Sequence, residues 1–572
     1  MPTLAIVNFN IVCATLGGFI TLFGLVSYLF KEKFYLSEAL ISLLAGVAFG
    51  PHAANFIRPE QYALGDPETL ETITLYFARL VLGVQLVLAG VQLPSKYLQT
   101  EWKSLALLLG PGMTVMWLCT SGLVMALVPH INFLQALAVG ACVTPTDPVL
   151  SNSIVKGKFA DKNIPKELQK IIIAESGAND GLGYPFLFLP LYLIAHVGHG
   201  QDNASKAFGL WFGETWGYVI LLSVVYGATV GWIAKELLHW AEEHKYIDKE
   251  SFLVFAISLA LFIMGTCGMI GSDDVLACFI AGNVFTWDDW FRLETEDDTF
   301  QPTLDMLLNV TIFIWFGAVC PWPDFIHNPV IPPVRLFFLG VLVLIFRRLP
   351  IVFFMHKHIH QIEEPRQALY VGFFGPIGVS AIFYLYISLE FLKGLKEDGE
   401  VRPDAKFLME VMNVVIWFLC ICSVVIHGIS IPLGKVGVYI PRTISQALSA
   451  ERVDSAPFQV RTTSYESDTR SSEPGSPDGI TNAFPRIVHR IGRSVTQLKS
   501  ADHSGNQSRA SFQSPQTSTS LPTAVRGSDQ SSTPDAIEVD SVSVTVPPPT
   551  LMQRTIRFPD EQSSPPDELK AR

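Results

Sequence analysis

Two stretches of this 572-residue chain set acids among apolar residues, where a charge is costly. The first reads Cys142-Val-Thr-Pro-Thr-Asp-Pro-Val149. Pro148 lacks an N–H and disfavours helical geometry at Asp147, and Pro145 does the same to Thr144. Carbonyls on the preceding turn then lose their partners. Such a break is tolerated at membrane depth only where it is buried in protein or lines a wet cavity. The freed carbonyls, the Thr146 hydroxyl and the Asp147 carboxylate are hard oxygen ligands, the type a hard cation takes. The second stretch reads Ala174-Glu-Ser-Gly-Ala-Asn-Asp-Gly181. Ser176 and Asp180 are four apart, as are Glu175 and Asn179, so each pair shares a helix face. The pattern predicts a buried, acid-lined site for a small monovalent cation that a proton can replace.

Further residues extend this set. Gly372-Phe-Phe-Gly-Pro-Ile-Gly378 is a second break, centred on Gly375 and Pro376. Two interrupted helices in corresponding halves of a chain point to an inverted-repeat transporter. Arg347 and Arg348 lie late in another apolar run. They either neutralise Glu175, face the broken helix ends, or mark the end of a span by reaching to its interface. Asp273 and Asp274 open a short apolar run, as helix caps or as ion-binding acids.

These residues need spans to hold them. The chain is 49% hydrophobic and 16% charged, where a soluble domain carries about a quarter charged residues. Apolar runs of spanning length lie near 8–30, 34–54, 73–93, 104–128, 133–155, 168–196, 215–238, 251–271, 274–286, 303–320, 334–355, 367–391 and 407–430. This predicts an all-α polytopic membrane protein of twelve or thirteen transmembrane helices. The fifth and sixth spans carry the acids. Asp180 lies about 18 Å along its helix from Leu168, near the midplane, where alternating-access transporters hold substrate. Odd-numbered loops carry fifteen Lys and Arg against seven in the even ones, so the odd side and the C-terminal tail are expected inside.

Residues 1–435 are expected to form the membrane domain and 436–572 a mostly disordered cytoplasmic tail, rich in Ser, Thr, Pro and charge. Two islands in it, 485–499 and 554–561, are candidate docking or phosphorylation segments for kinases or regulatory proteins. Asn203-Ala-Ser205 is a glycosylation sequon in an even loop. The eight cysteines all fall in apolar runs, with no metal-site spacing. The net charge of −12 gives no support to nucleic-acid binding. The absence of a GxxxxGK[ST] motif argues against ATP-driven pumping.

At TPTDPV (144–149), AESGANDG (174–181), GSDDVLACFIAGNVFTWDDWF (271–291), GFFGPIGVSAIFY (372–384) and HGISIP (427–432), the chain resembles the cation/proton antiporter superfamily, most of all the fungal plasma-membrane Na+/H+ antiporters. The resemblance spans about residues 8–450. It implies a core with two crossing, partly unwound helices beside a dimerisation domain, and hence a homodimer. The family's cation ligands map onto Thr146, Ser176 and Asp180, with Asp147 and Glu175 close by. Asn179–Asp180 matches the family's Asn-Asp pair. Its Glu–Arg pair would be Glu175 with Arg347 or Arg348. Many relatives carry an Arg in the motif around Phe374 and Pro376 that this chain lacks. In fungal members the acids matching Asp273–Asp274 are implicated in transport. The expected protein is thus a secondary antiporter of the plasma membrane, not an enzyme. It would have no cofactor, exchange Na+, Li+ or K+ for H+, and serve salt tolerance and pH homeostasis. The rival readings are a transporter of another small solute, such as an anion, and a membrane sensor or scaffold acting through its tail.

Overall fold

The computed structural model describes residues 8–30, 36–155, 164–197, 204–296 and 298–454, with side chains placed up to Asn152 in the second stretch and Ser430 in the last. The tail islands and the Asn203 sequon lie outside the described residues.

α1 (Asn8–Tyr28) is apolar on every side and buries only Phe23, as suits a helix facing hydrocarbon. α2 (Glu38–Phe49) is short. α3 (Pro67–Gln92) starts at Asp66, whose carboxylate accepts the Glu68 and Thr69 N–H groups, with Pro67 in the first turn. α4 (Trp102–Leu127) passes through a π turn at Leu108–Gly112, where Pro111 has no N–H to give the helix. α5 (Phe133–Cys142) and α6 (Pro148–Val155) are two halves of one apolar run. α7 (Lys166–Gly181) and α8 (Gly183–His196) meet at Leu182. α9 (Ala204–Glu243) is 40 residues long. It is followed by α10 (Lys249–Ile270), α11 (Asp274–Phe285) and α12 (Phe300–Val319). The chain ends its described course with α13 (Pro333–Phe346), α14 (Leu349–Met355), α15 (Pro365–Phe373), α16 (Val379–Lys393) and α17 (Pro403–Asp454).

Each of the thirteen apolar runs is therefore one helix or a broken pair. Eight helices among the described residues are long and apolar enough to cross a bilayer. Three details depart from the sequence expectation. α17 does not stop near 430 but runs on to Asp454. The run at 334–355 is broken at Arg347–Arg348, because Pro350 has no N–H to give the Phe346 carbonyl and its ring crowds that carbonyl. The fold is not wholly helical: β1 (Lys396–Glu397) and β2 (Glu400–Val401) pair antiparallel between α16 and α17. Asp398 and Gly399, both at positive φ, make their turn.

α11 is held between α3 and α9. Gly231 on α9 lies so close to α11 that an added Cβ would sit 2.6 Å from the Ala281 carbonyl oxygen. Small residues let backbones meet in this way when no hydrophobic effect drives helices together. Against this layer the halves of the runs broken at 143–147 and 374–378 converge, with α7 and α17 beside them.

Candidate functional site

The first break is prepared on both sides. Asn132 caps α5 with Gln135 in a reciprocal capping box. The helix ends at Cys142, and the Thr144 hydroxyl donates to the Gly140 carbonyl at 2.8 Å, while the Thr144 N–H turns to the Ala141 carbonyl at 3.3 Å, the one that Pro145 cannot serve. Residues 143–147 are non-helical, and Pro148 starts α6, where a missing N–H costs nothing. The second break has the same plan. α15 ends at Phe373, residues 374–378 are non-helical, and α16 starts at Val379. The segments touch by backbone: the Asp147 N–H donates to the Pro376 carbonyl at 3.0 Å.

Four helix ends therefore meet, two positive and two negative. One residue serves each pair. The Asp147 carboxylate accepts the Leu150 N–H of α6 at 2.8 Å and the Ser380 N–H of α16 at 3.1 Å. Arg347 serves the carbonyl ends. Its guanidinium donates to the carbonyls of Val143, Pro145 (3.3 Å) and Gly375, with Thr144 at 3.5 Å. Arg347 thus partners the carbonyl ends of both breaks.

Arg348 does a different job. It forms a two-pronged pair with Glu175, 2.7 Å from Nη2 to Oε2, and its Nε donates to the Val371 carbonyl at 3.0 Å. Both side chains are buried. The choice left open by the sequence is settled by this geometry: Glu175 pairs with Arg348, and Arg347 faces the helix ends. Gly375 lies directly against Arg348.

α7 brings the rest. Asn179 holds Thr146 twice: it accepts the Thr146 N–H at 3.1 Å and donates to the hydroxyl at 2.8 Å. Ser176 donates its hydroxyl to the Ile172 carbonyl at 2.8 Å, leaving the oxygen's lone pairs as acceptors. Asp180 is fully buried, yet neither carboxylate oxygen holds a formed hydrogen bond. The Ser380 side chain is its polar neighbour, and Asp147 and Asp273 are its acidic ones. Its backbone carbonyl accepts the Tyr384 hydroxyl.

Asp273 and Asp274 divide their roles. Asp273 caps α11, its Oδ1 accepting the Val275 and Leu276 N–H groups at 3.0 Å each, while its buried Oδ2 has no partner. The π-helical segment Trp211–Leu221 of α9 positions this loop. Its Val219 carbonyl accepts the Ser272 hydroxyl at 2.9 Å and the Asp273 N–H at 3.4 Å. Asp274 pairs with Arg79 at 2.8 Å. All the acids named from the sequence are thus gathered around the crossing or on the layer facing it. Two participants were not singled out there, Ser380 and Tyr384, which follow the second break by a few residues.

The crossing can hold a small cation. A buried carboxylate with free oxygens lies beside backbone carbonyls and hydroxyls, while the helix ends are neutralised by other groups. Comparison with known proteins agrees in family. A probable Na+/H+ antiporter of Schizosaccharomyces pombe is 38% identical over 78% of this chain and 58% of its own length. The Na+/H+ antiporter of Saccharomyces cerevisiae is 35% identical over 75% and 44%. A second Na+/H+ antiporter of S. pombe is 31% identical over 75% and 92%. The chain thus spans about half the length of the first two. In fold it is similar to the sodium proton antiporter MjNhaP1 from Methanocaldococcus jannaschii, with a TM-score of 0.54 at 18% identity over 75% of this chain and 99% of that one. The family model of the transmembrane sodium/hydrogen exchanger matches residues 18–433, and the chain belongs to that family.

Proposed function

We propose that this protein exchanges Na+, and with it Li+ or K+, for H+ across the plasma membrane by alternating access. The observation that carries this reading is Asp180, buried with both carboxylate oxygens unpartnered. A bare buried charge is costly. Either a proton or a cation removes that cost, and binding both at once gains little. This competition couples the two fluxes. The Thr146 carbonyl or hydroxyl and the Ser176 oxygen complete the cation's shell, and Asn179 fixes Thr146. Asp147 and Arg347 keep the helix ends neutral in either state, and Glu175–Arg348 holds α7 to the second break.

Alternating access then requires the crossing to move against the layer of α3, α9 and α11. The positive loops support a cytoplasmic tail, and a proton gradient drives cation efflux. The relatives are named as Na+/H+ antiporters, which supports Na+ as substrate. The family likeness supports a homodimer whose fixed layer is shared.

The test uses the full chain in liposomes with an acid interior and a trapped pH dye. External NaCl, LiCl, KCl and choline chloride are added in turn to wild type and Asp180→Asn. The expected result is alkalinisation by Na+ or Li+ in wild type alone. Equal exchange by Asp180→Asn, or none by folded wild type with any cation, overturns the proposal.

A further inference from the structure

His427 and Ser423 lie one turn apart on α17 and reach into the second break from outside it. The Ile377 N–H, inside the non-helical segment, donates to the Ser423 hydroxyl oxygen at 2.7 Å. That hydroxyl lies 3.1 Å from Nδ1 of His427. Nε2 of His427 lies 3.0 Å from the Phe373 carbonyl, the last of α15. Donors and acceptors fall into one order. Ile377 donates to Ser423, Ser423 donates to Nδ1, and Nε2 donates to Phe373. A neutral imidazole with its proton on Nε2 completes that order. In an imidazolium, Nδ1–H would turn to the Ser423 carbonyl, 2.8 Å away, and release the hydroxyl. His427 and Ser423 are both buried, and Phe373 and Phe374 flank the ring.

The Ile377 amide has no helix to belong to, and a buried N–H left without an acceptor is costly. Its acceptor therefore fixes where the peptide sits. That position matters one residue earlier, where the Pro376 carbonyl holds the Asp147 N–H. A shift at Ile377 passes through one peptide to Asp147, and with it to Thr146. The next residue on α17, Gly428, rests on Leu40 of α2, and its carbonyl accepts the Ser37 N–H at 3.3 Å. The same turn of α17 thus grips the break on one side and α2 on the other.

We propose that His427 and Ser423 form a clasp that positions the second break and so sets the apparent KM for the transported cation. They are positioning residues: neither touches Asp180, Ser176 or Thr146 by any hydrogen bond in the structure. The proposal rests on the exchange reading above for its kinetic consequence, but not for the clasp itself.

Two measurements on the full-length protein keep these apart. The first is hydrogen–deuterium exchange of the segment 374–378, which reads the clasp whatever ions cross. Both His427→Leu and Ser423→Ala should speed it, and unchanged exchange in both overturns the clasp. The second is Na+ kinetics in proteoliposomes. His427→Leu should raise KM about fivefold, the loss of roughly one net hydrogen bond, with Vmax per folded protein nearly constant. His427→Gln keeps an amide N–H near the Nε2 position and should restore KM. The double variant, His427→Leu with Ser423→Ala, should be no worse than its more damaging member, as coupled neighbours are. Vmax falling with folded yield at constant KM, or Gln failing as Leu does, would reduce His427 to ordinary packing. Absence of transport in wild type as well would defeat the exchange reading instead, leaving the exchange-protection result to decide the clasp.

Discussion

Arg347 and Arg348 are neighbours in sequence with unrelated partners. Arg347 sees carbonyls from both broken runs, and Arg348 sees the Glu175 carboxylate. Sequence alone listed both tasks but could not assign them, because Pro350 breaks the helical register at Arg347–Arg348 themselves. The division has an energetic consequence. Removing one member of a buried pair leaves the other charge uncompensated, at a cost of about 3–5 kcal/mol, whereas replacing both with apolar groups is often near neutral. Glu175→Gln alone should therefore lower the thermal midpoint of the detergent-solubilised protein. Glu175→Leu combined with Arg348→Met should recover most of the loss. A double variant as unstable as the sum of its singles would mean that the pair also organises groups beyond itself, such as the Val371 carbonyl.

At the level of elements, the two breaks were legible because proline chemistry is local. Pro145, Pro148 and Pro376 remove donors and bend the chain wherever they stand. What brings the breaks together was not legible, since it depends on close approach between residues over two hundred positions apart. Asp147 and Ser380 show this: a proline-flanked acid is visible in sequence, but the second helix end that it caps is not. Gly378 is the residue that permits the approach. A Cβ there would lie 2.6 Å from Asp147 Oδ2 and 2.7 Å from its Cγ. Something must move, and the nearest movable group is the carboxylate that serves both helix N-termini. Overpacking of this kind costs about 1–3 kcal/mol, so Gly378→Ala should reduce exchange about five- to hundredfold with the protein still folded. Gly122→Ala is the control, since nothing lies within 4 Å of a Cβ at that site. Equal activity of the two variants would show that Asp147 need not stay seated between α6 and α16.

On the scale of the molecule, the acids divide between two groups of packed helices. Asp147, Glu175 and Asp180 belong to the crossing, and Asp273 and Asp274 to the layer of α3, α9 and α11. The thirteen-run pattern and the midplane acids told as much of the architecture as hydropathy can. It could not tell that α9 contains a π-helical stretch or that this stretch seats Ser272 and Asp273, because lipid-facing apolar residues look alike in α and π geometry. Every group given a role here, from Ser37 to Gly428, falls within residues 18–433, the extent of the family match. If the chemistry is confined there, a chain ending at Asp454 should insert, fold and exchange Na+ for H+ at a rate within about twofold of the full chain, since no interaction of the site is removed. The comparison is made in the same proteoliposomes, per folded protein, at several internal pH values. Equal rates with a shifted pH response would make residues 455–572 regulatory. Loss of exchange from a folded truncation would place part of the transport machinery in the tail, and the crossing would then be a necessary but incomplete site.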